Sequence, residues 1–382
     1  MSVRILHLAD LHLGAAFPSM GEHGQERTRD FLSAYLRAVE FATSPEKPVD
    51  LAVIAGDLFD THDPDEGLVF QVETSLEKLT KAGVPVVLVP GTHDAYSYRR
   101  SVYRRLRLPE GVHLLTDPRL APGPRLTIQD ETVQLYGIAF DPAVSARPLG
   151  EFTRSGVADY HVAVLHGALQ DNPAWKIRAS DLPIERSEIA ASGLTYLALG
   201  HYHNFVEVRE GGSVAVYPGT LEGRKFGEEG ARYLLVATLS GGDNVSLERK
   251  PWNTRTLSQV SIDFTSAEIH EERRLLDRIA AFAGDREIVR VRLEGAADFA
   301  FEPERVDASV RERFFHLEID DRTFLMDKAL LGQFQDEATI RGAFVRRTLD
   351  RLAKAKTPQE KETVTLALRL GLAEFQNPHH AV

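Results

Sequence analysis

The 382-residue chain contains no cysteine. Disulfides, zinc–thiolate centres and thiol nucleophiles are therefore excluded. No apolar run approaches the roughly 20 residues of a membrane span. The opening Met-Ser-Val-Arg-Ile-Leu-His-Leu lacks the pattern of a secretory signal. Both absences predict a soluble, cytoplasmic protein with no membrane partner. Gly-x-Gly-x-x-Gly and Walker-type loops are missing, so no nucleotide-driven motion is expected from this chain. Nor are there repeats, low-complexity stretches or heptads long enough for a coiled coil. Excess positive charge is missing too. Lys and Arg number 45 against 56 Asp and Glu, a formal net charge of −11. A chain that binds nucleic acid usually shows the opposite balance, so any grip on phosphates must come from a local patch.

What is present is a repeated pattern. Five apolar, strand-like runs each end in metal-binding residue types: Val3 to Ala9, Leu51 to Ala55, Val84 to Val89, His161 to Leu165, and Tyr196 to Leu199. They are followed by Asp10-Leu11-His12, Gly56-Asp57, Gly91-Thr92-His93-Asp94, His166-Gly167 and Gly200-His201-Tyr202-His203. Strands ending this way point to one site, built where strand ends meet loops. Carboxylates and neutral imidazoles suit manganese, iron and zinc. Asp10, His12, Asp57, His166, His201 and His203 are too many ligands for one tetrahedral ion. An aspartate such as Asp57 can bridge. The set therefore predicts two divalent ions about 3.5–4 Å apart, the arrangement used in phosphoester hydrolysis.

In these motifs the chain resembles the calcineurin-like metallophosphoesterase superfamily, and within it the SbcD/YhaO branch of DNA repair exonucleases. The resemblance rests on I-L-H-L-A-D-L-H-L-G at 5–14, A-G-D-L-F-D at 55–60, L-G-H-Y-H at 199–203 and Y-P-G-T-L-E at 217–222. It covers about the first 240 residues; beyond them only the layout is similar. It implies an α/β fold of two facing sheets flanked by helices. Asp10, His12 and His203 would hold one ion, His166 and His201 the other, with Asp57 between; manganese is the expected metal. His93 would face the scissile phosphate, and Asp94 would orient its ring. One position departs from the family pattern. Thr92 stands where an Asn gives its amide oxygen to the second ion. A hydroxyl is the poorer ligand for a hard cation. The second ion is then held weakly, or through water, or by the hydroxyl itself after a shift of the loop.

The segment Tyr96 to Arg107 packs five Arg and three Tyr into 12 residues with no acid among them. It follows the His93 loop directly. Tyr96, Tyr98, Arg99, Arg100, Arg104 and Arg105 are the candidate DNA contacts, Arg for phosphate and Tyr for unpaired bases. The plainer alternative is a solvated helix. Trp175 and Lys176, nine and ten residues after His166, are candidates for a substrate groove or a loop anchor.

Composition and punctuation divide the chain at 1–255, 256–324 and 325–382. The first part reads as the catalytic domain, ending near Gly241-Gly242 with Trp252 to Arg255 as a connector. The second reads strand, helix, strand, helix, strand; the resemblance implies a capping domain there. The third reads as helices, with Ile340, Phe344, Thr348 and Leu352 stepping by four. By resemblance these helices would dock an SMC-like ATPase of the SbcC/YhaN type; a homodimer is a further candidate assembly. The leading expectation is two-metal hydrolysis of the DNA backbone. The alternatives are a phosphatase or small-molecule phosphodiesterase on the same core, and a non-catalytic subunit of an ATPase complex.

Overall fold

The computed structural model describes residues 2–46, 48–144, 147–150, 152–170, 181–242, 244–264, 269–325 and 328–376. The chain divides into two compact units, Met1–Arg255 and Thr256–Val382. The first unit opens with β1 (Ser2–Leu8), α1 (Gly24–Ala42), β2 (Leu51–Ala55), α2 (Glu66–Lys81), β3 (Val86–Val89) and β4 (Val112–Leu114). It continues with β5 (Ala121–Ile128), β6 (Glu131–Ile138), β7 (Tyr160–His166), α3 (Arg186–Ser192), β8 (Tyr196–Gly200), β9 (Val206–Glu210), β10 (Ser213–Tyr217), β11 (Tyr233–Ser240) and β12 (Asn244–Pro251). These strands form two six-stranded sheets, ordered β12-β11-β1-β2-β3-β4 and β5-β6-β7-β8-β10-β9.

Side chains alternate across each strand, and here both faces are covered. Ile5, Val53 and Val87 turn inward and meet Val133, Val162 and Ala198 of the other sheet. Their neighbours Leu6, Ile54 and Leu88 turn outward onto Tyr35 and Val39 of α1 and Val72 and Leu76 of α2. On the far side, Leu165, Leu197 and Leu199 pack against Ile189 of α3. The result is an α/β fold of two facing sheets flanked by helices. Burial on both faces is why the parallel strands read as continuous apolar runs rather than alternating ones. Strands β1, β2 and β3 run parallel, as do β7 and β8. Within each sheet, the residues that follow these strands therefore emerge along one edge.

Strand β12 was not expected from the sequence. Gly241 and Gly242 are the turn of the β11–β12 hairpin, not the end of the domain. Of this edge strand only Val245 and Leu247 join the core. Its weak apolar signal hid it. The connector after it is pinned: the Trp252 indole donates to the Ala34 carbonyl at 2.9 Å, and Arg37 donates to the Trp252 carbonyl at 2.7 Å.

The second unit contains β13 (Thr256–Asp263), α4 (Glu272–Ala280), β14 (Gly284–Ala297), α5 (Pro303–Val310) and β15 (Phe314–Leu325), followed by α6 (Lys328–Asp336), α7 (Ile340–Lys354) and α8 (Pro358–Gln376). Its three strands form a parallel sheet. Leu275, Ile279, Val306 and Val310 of the helices cover Val289, Val291 and Leu293. The terminal helices share their own small core of Phe334, Val345, Leu368 and Leu372. Arg369 is buried and donates to the carbonyls of Phe264 and Ala296. That pin joins α8 to the sheet, so the helices expected as a separate segment belong to the same unit. Among the described residues, no helix is long and apolar enough to cross a membrane.

Candidate metal centre

The strand ends of the first unit converge. Asp10, His12, Asp57 and His166 are all buried. His166 Nε2 lies 3.4 Å from Asp57 Oδ2, and His12 Nε2 lies 3.2 Å from His203 Nε2. His203 Nε2 is 3.9 Å from Asp10 Oδ1, and His12 Nε2 is 3.9 Å from Asp57 Oδ2. Two foci result. Asp10, His12 and His203 offer ligand atoms within 4.8 Å of one another, and so do Asp10, Asp57 and His166. The His201 ring stands beside the second focus, its centroid 5.2 Å from that of His166.

The tautomers can be read from the partners. His166 Nδ1 sits 3.0 Å from the Ala55 carbonyl, which only accepts. The proton is therefore on Nδ1, and Nε2 keeps its lone pair. That Nε2 is buried and has no hydrogen-bond partner. His203 Nδ1 meets Glu228 Oε1 at 2.7 Å, and His12 Nδ1 meets Asp60 Oδ1 at 3.1 Å. Three imidazoles thus spend Nδ1 on an acceptor and turn Nε2 toward the foci, as metal-ligating histidines do. Two Nε2 atoms 3.2 Å apart need a proton or a cation between them. Ligands about 2.0–2.1 Å from a shared ion reproduce that spacing. The donor set fits divalent cations.

Electrostatics supports the same fit. Burial works to raise the Asp57 pKa, but the imidazoles of His166, His12 and His93 outweigh it and hold it at about 2. Burial works to lower that of His166; Asp57 and Asp10 reverse the effect. His201 is pushed down to about 4, by burial and then by the neighbouring His166, which keeps it neutral and ligand-ready.

The backbone at this edge is held in sparsely populated conformations. Asp10 (φ 51°), His12 (φ 44°), Asp57 (φ 49°) and His201 (φ 107°) all have positive φ without being glycine. Each such residue costs on the order of 1–3 kcal/mol and persists where surrounding bonds over-determine it. Here Asp10 N donates to the Gly56 carbonyl at 3.1 Å, and His12 N to the Asp57 carbonyl at 3.0 Å. Gly91 and Gly200 permit the close approach. A side chain at Gly91 would strike the Asp57 carboxylate, and one at Gly200 the Ala55 carbonyl.

Thr92 lies against this group. Its hydroxyl donates to Asp57 Oδ2 at 3.1 Å, while the His93 backbone N–H donates to Asp57 Oδ1 at 2.8 Å. His93 itself is partly exposed, packed edge-on against His12 with centroids 4.7 Å apart. Its Nδ1 is bonded to the Asp60 backbone oxygen at 3.0 Å. Asp94 does not orient that ring, contrary to expectation. Its carboxylate accepts from Gly91 N at 2.8 Å, Phe59 N at 3.0 Å and the Tyr103 hydroxyl at 2.7 Å. It ties two strand-end loops together, and the ring partner is Asp60. Burial, then Asp57, pushes the Asp94 pKa up to about 6.

The basic segment is not a helix; it holds only a short 3-10 turn at Val102–Arg104. Arg100 pairs with Asp63 at 2.8 Å, and Arg105 with Asp63 at 3.2 Å and Glu66 at 3.1 Å. Arg104 stacks on Tyr96 and donates to its carbonyl at 3.0 Å. The Tyr98 ring packs on His62, 4.6 Å between centroids. Much of the expected DNA patch is thus occupied in bracing the loop after Asp57. The acids responsible are distant in sequence, so the local count of charges could not reveal them. Arg99 is exposed, with no ion pair among the described residues. Trp175 and Lys176 lie outside the described residues.

Four participants were not singled out from the sequence: Asp60, Tyr103, Arg224 and Glu228. Asp60 stood in plain view in A-G-D-L-F-D. Glu228 sits in a glycine-rich loop with no periodic signal.

Comparison with known proteins agrees with this geometry. The family profile for calcineurin-like phosphoesterases matches residues 3–205. The uncharacterized metallophosphoesterase YhaO of Bacillus subtilis is 24% identical over 272 residues, covering 69% of this chain and 63% of that one. The DNA double-strand break repair protein Mre11 of Methanosarcina mazei is 26% identical over 283 residues, covering 72% and 42%. That of Methanopyrus kandleri is 28% identical over 416 residues, covering 98% and 84%. The chain spans less than two thirds of the length of the first two relatives. The match to more than half of the chain, laid over strand ends that gather carboxylates and imidazoles, shows that the chain belongs to the calcineurin-like phosphoesterase family.

Proposed function

We propose that this chain is a metal-dependent phosphodiesterase that hydrolyses the DNA backbone, of the SbcD/YhaO type. The observation that carries the reading is the pair of ligand foci sharing Asp10, with Asp57 beside both and His93 at the opening. Asp10, His12 and His203 would hold one ion, and His166 and His201 the other, with Asp57 bridging; manganese is the first candidate. Bound ions would supply charge for the phosphate oxygens and acidity for the attacking water. The chain's own part is positioning. Thr92 and the His93 N–H fix the Asp57 carboxylate. Asp60 fixes the His93 ring through Nδ1, leaving Nε2 to carry a proton to the departing 3′ oxygen.

The likeness to repair proteins named Mre11 supports DNA as substrate. The terminal helices support a protein partner such as an SMC-like ATPase, because Ile340, Leu366 and Leu370 stay exposed on them. One observation favours a second reading, a phosphatase or small-molecule phosphodiesterase. The net charge is −11, and most of the basic segment is paired within the chain. The test is hydrolysis of a labelled oligonucleotide and of bis-nitrophenyl phosphate, with manganese and with chelator. Manganese-dependent cleavage of both is expected. Cleavage of the small ester alone overturns the DNA reading, and turnover of neither favours a non-catalytic subunit.

A further inference from the structure

Arg224 places its guanidinium against the candidate ligand His12, and no step described above uses it. Its NH2 lies 2.6 Å from Asp60 Oδ1, and its NH1 lies 3.4 Å from His12 Nδ1. The second contact cannot be a hydrogen bond in the tautomer read above. His12 Nδ1 carries the proton it gives to Asp60, so it has no lone pair for NH1. NH1 therefore keeps its donors. The side chain is 26% exposed, at the mouth of the site.

The position is built. The Arg224 backbone N–H donates to Glu228 Oε2 at 2.7 Å, and the other oxygen of Glu228 holds His203 Nδ1. The loop is fastened again from behind. Buried Arg27 donates to the Gly223 carbonyl at 2.6 Å and to Glu222 at 2.8 Å. One carboxylate thus presents two groups at the mouth: Asp60 Oδ1 faces Arg224 at 2.6 Å and the His93 ring at 3.8 Å.

We infer that Arg224 binds a second phosphate of the substrate, next to the one being cleaved. The argument is one of reach. Arg224 meets His12 on Nδ1, while the cation focus lies beyond Nε2 on the other side of the ring. A phosphate at the focus is a ring's breadth away from the guanidinium. A neighbouring phosphate on the same strand would span that gap. A guanidinium with free donors is the group suited to a phosphate edge. A substrate with several phosphates in a chain gains this contact, and a lone phosphodiester does not. The inference rests on the nuclease reading and sharpens it: Arg224 would set the preference for a strand.

The experiment compares wild type with Arg224→Gln and Arg224→Lys on three readouts. They are turnover of a short oligonucleotide, turnover of bis-nitrophenyl phosphate, and fluorescence anisotropy of a labelled oligonucleotide without turnover. Arg224→Gln should weaken oligonucleotide binding and raise its KM on the order of 10–100-fold, the loss expected for a charge-assisted contact. Its loss in kcat/KM should be at least about tenfold greater for the oligonucleotide than for the small ester. Arg224→Lys should restore part of the affinity. Equal losses on both substrates would overturn the inference, because Arg224 would then act through Asp60 and His12. Unchanged binding in Arg224→Gln overturns it too, as does a wild type that binds no oligonucleotide. A wild type that binds the oligonucleotide but cleaves neither substrate removes the nuclease reading, while the anisotropy difference still decides the contact.

Discussion

Asp10, Asp57 and His166 lie on the floor of the site, shut away from solvent, while the side chains of His93, Arg224 and Asp60 at its mouth keep 39%, 26% and 16% of their surface exposed. On the floor, charges of opposite sign face one another in a dry setting, where burial and the facing charges pull the Asp57 and His166 pKa values in opposite directions. At the mouth, groups are paired but wet. Removing a floor residue leaves a partner charge buried and uncompensated, which is costly. Removing a mouth residue leaves a group that water can solvate. Metal retention and turnover should therefore separate along this line.

The largest effect is expected from Asp57→Asn. It touches both foci and accepts from Thr92 and His93. Metal content, read by elemental analysis, and turnover should both fall to background. Full activity would break the floor assignment. His93→Ala should come next. It should lose on the order of 10²–10⁴ in kcat, as for a lost general acid, with both ions retained. Loss of metal in that variant would move His93 from mouth to floor.

Glu228→Gln tests the layer behind the floor. The carboxylate that fixes His203 Nδ1 at 2.7 Å becomes a weaker acceptor. Manganese affinity by calorimetry should drop roughly 10–100-fold, and the small-ester kcat at saturating manganese should change little. An unaltered titration would show that His203 orients without it. The smallest effect is expected from Thr92→Asn, which puts an amide oxygen where the hydroxyl now braces Asp57. Half-saturating manganese should fall a few-fold. A rise instead would mean that the Thr92–Asp57 bond is the more valuable feature.

The floor was legible in the sequence because each of its residues follows an apolar strand, and parallel strands with both faces covered announce themselves as runs such as Leu51 to Ala55. All five runs form strands in the folded chain. The mouth was less legible. Asp94 was expected to orient His93, yet its oxygens are taken by Gly91, Phe59 and Tyr103, three donors that meet only in the folded chain. Asp60 took the role instead. Arg100 and Arg105 looked free within their own segment because Asp63 and Glu66, their partners, are about forty positions earlier. Glu228 and Arg224 depend on a loop whose course no local pattern describes. Edge strand β12 was missed because too few of its residues face the core.

The positive φ angles at Asp10, His12, Asp57 and His201 carry a consequence of another kind. Stability alone would favour glycine, or a relaxed turn, at each of them. A backbone trace with every side chain erased would still mark this one edge of the two sheets as unusual. The site is therefore written twice, once in the chemistry of its ligands and once in the shape of the main chain that presents them. A designer transplanting these candidate ligands to another scaffold would have to copy the second inscription as faithfully as the first.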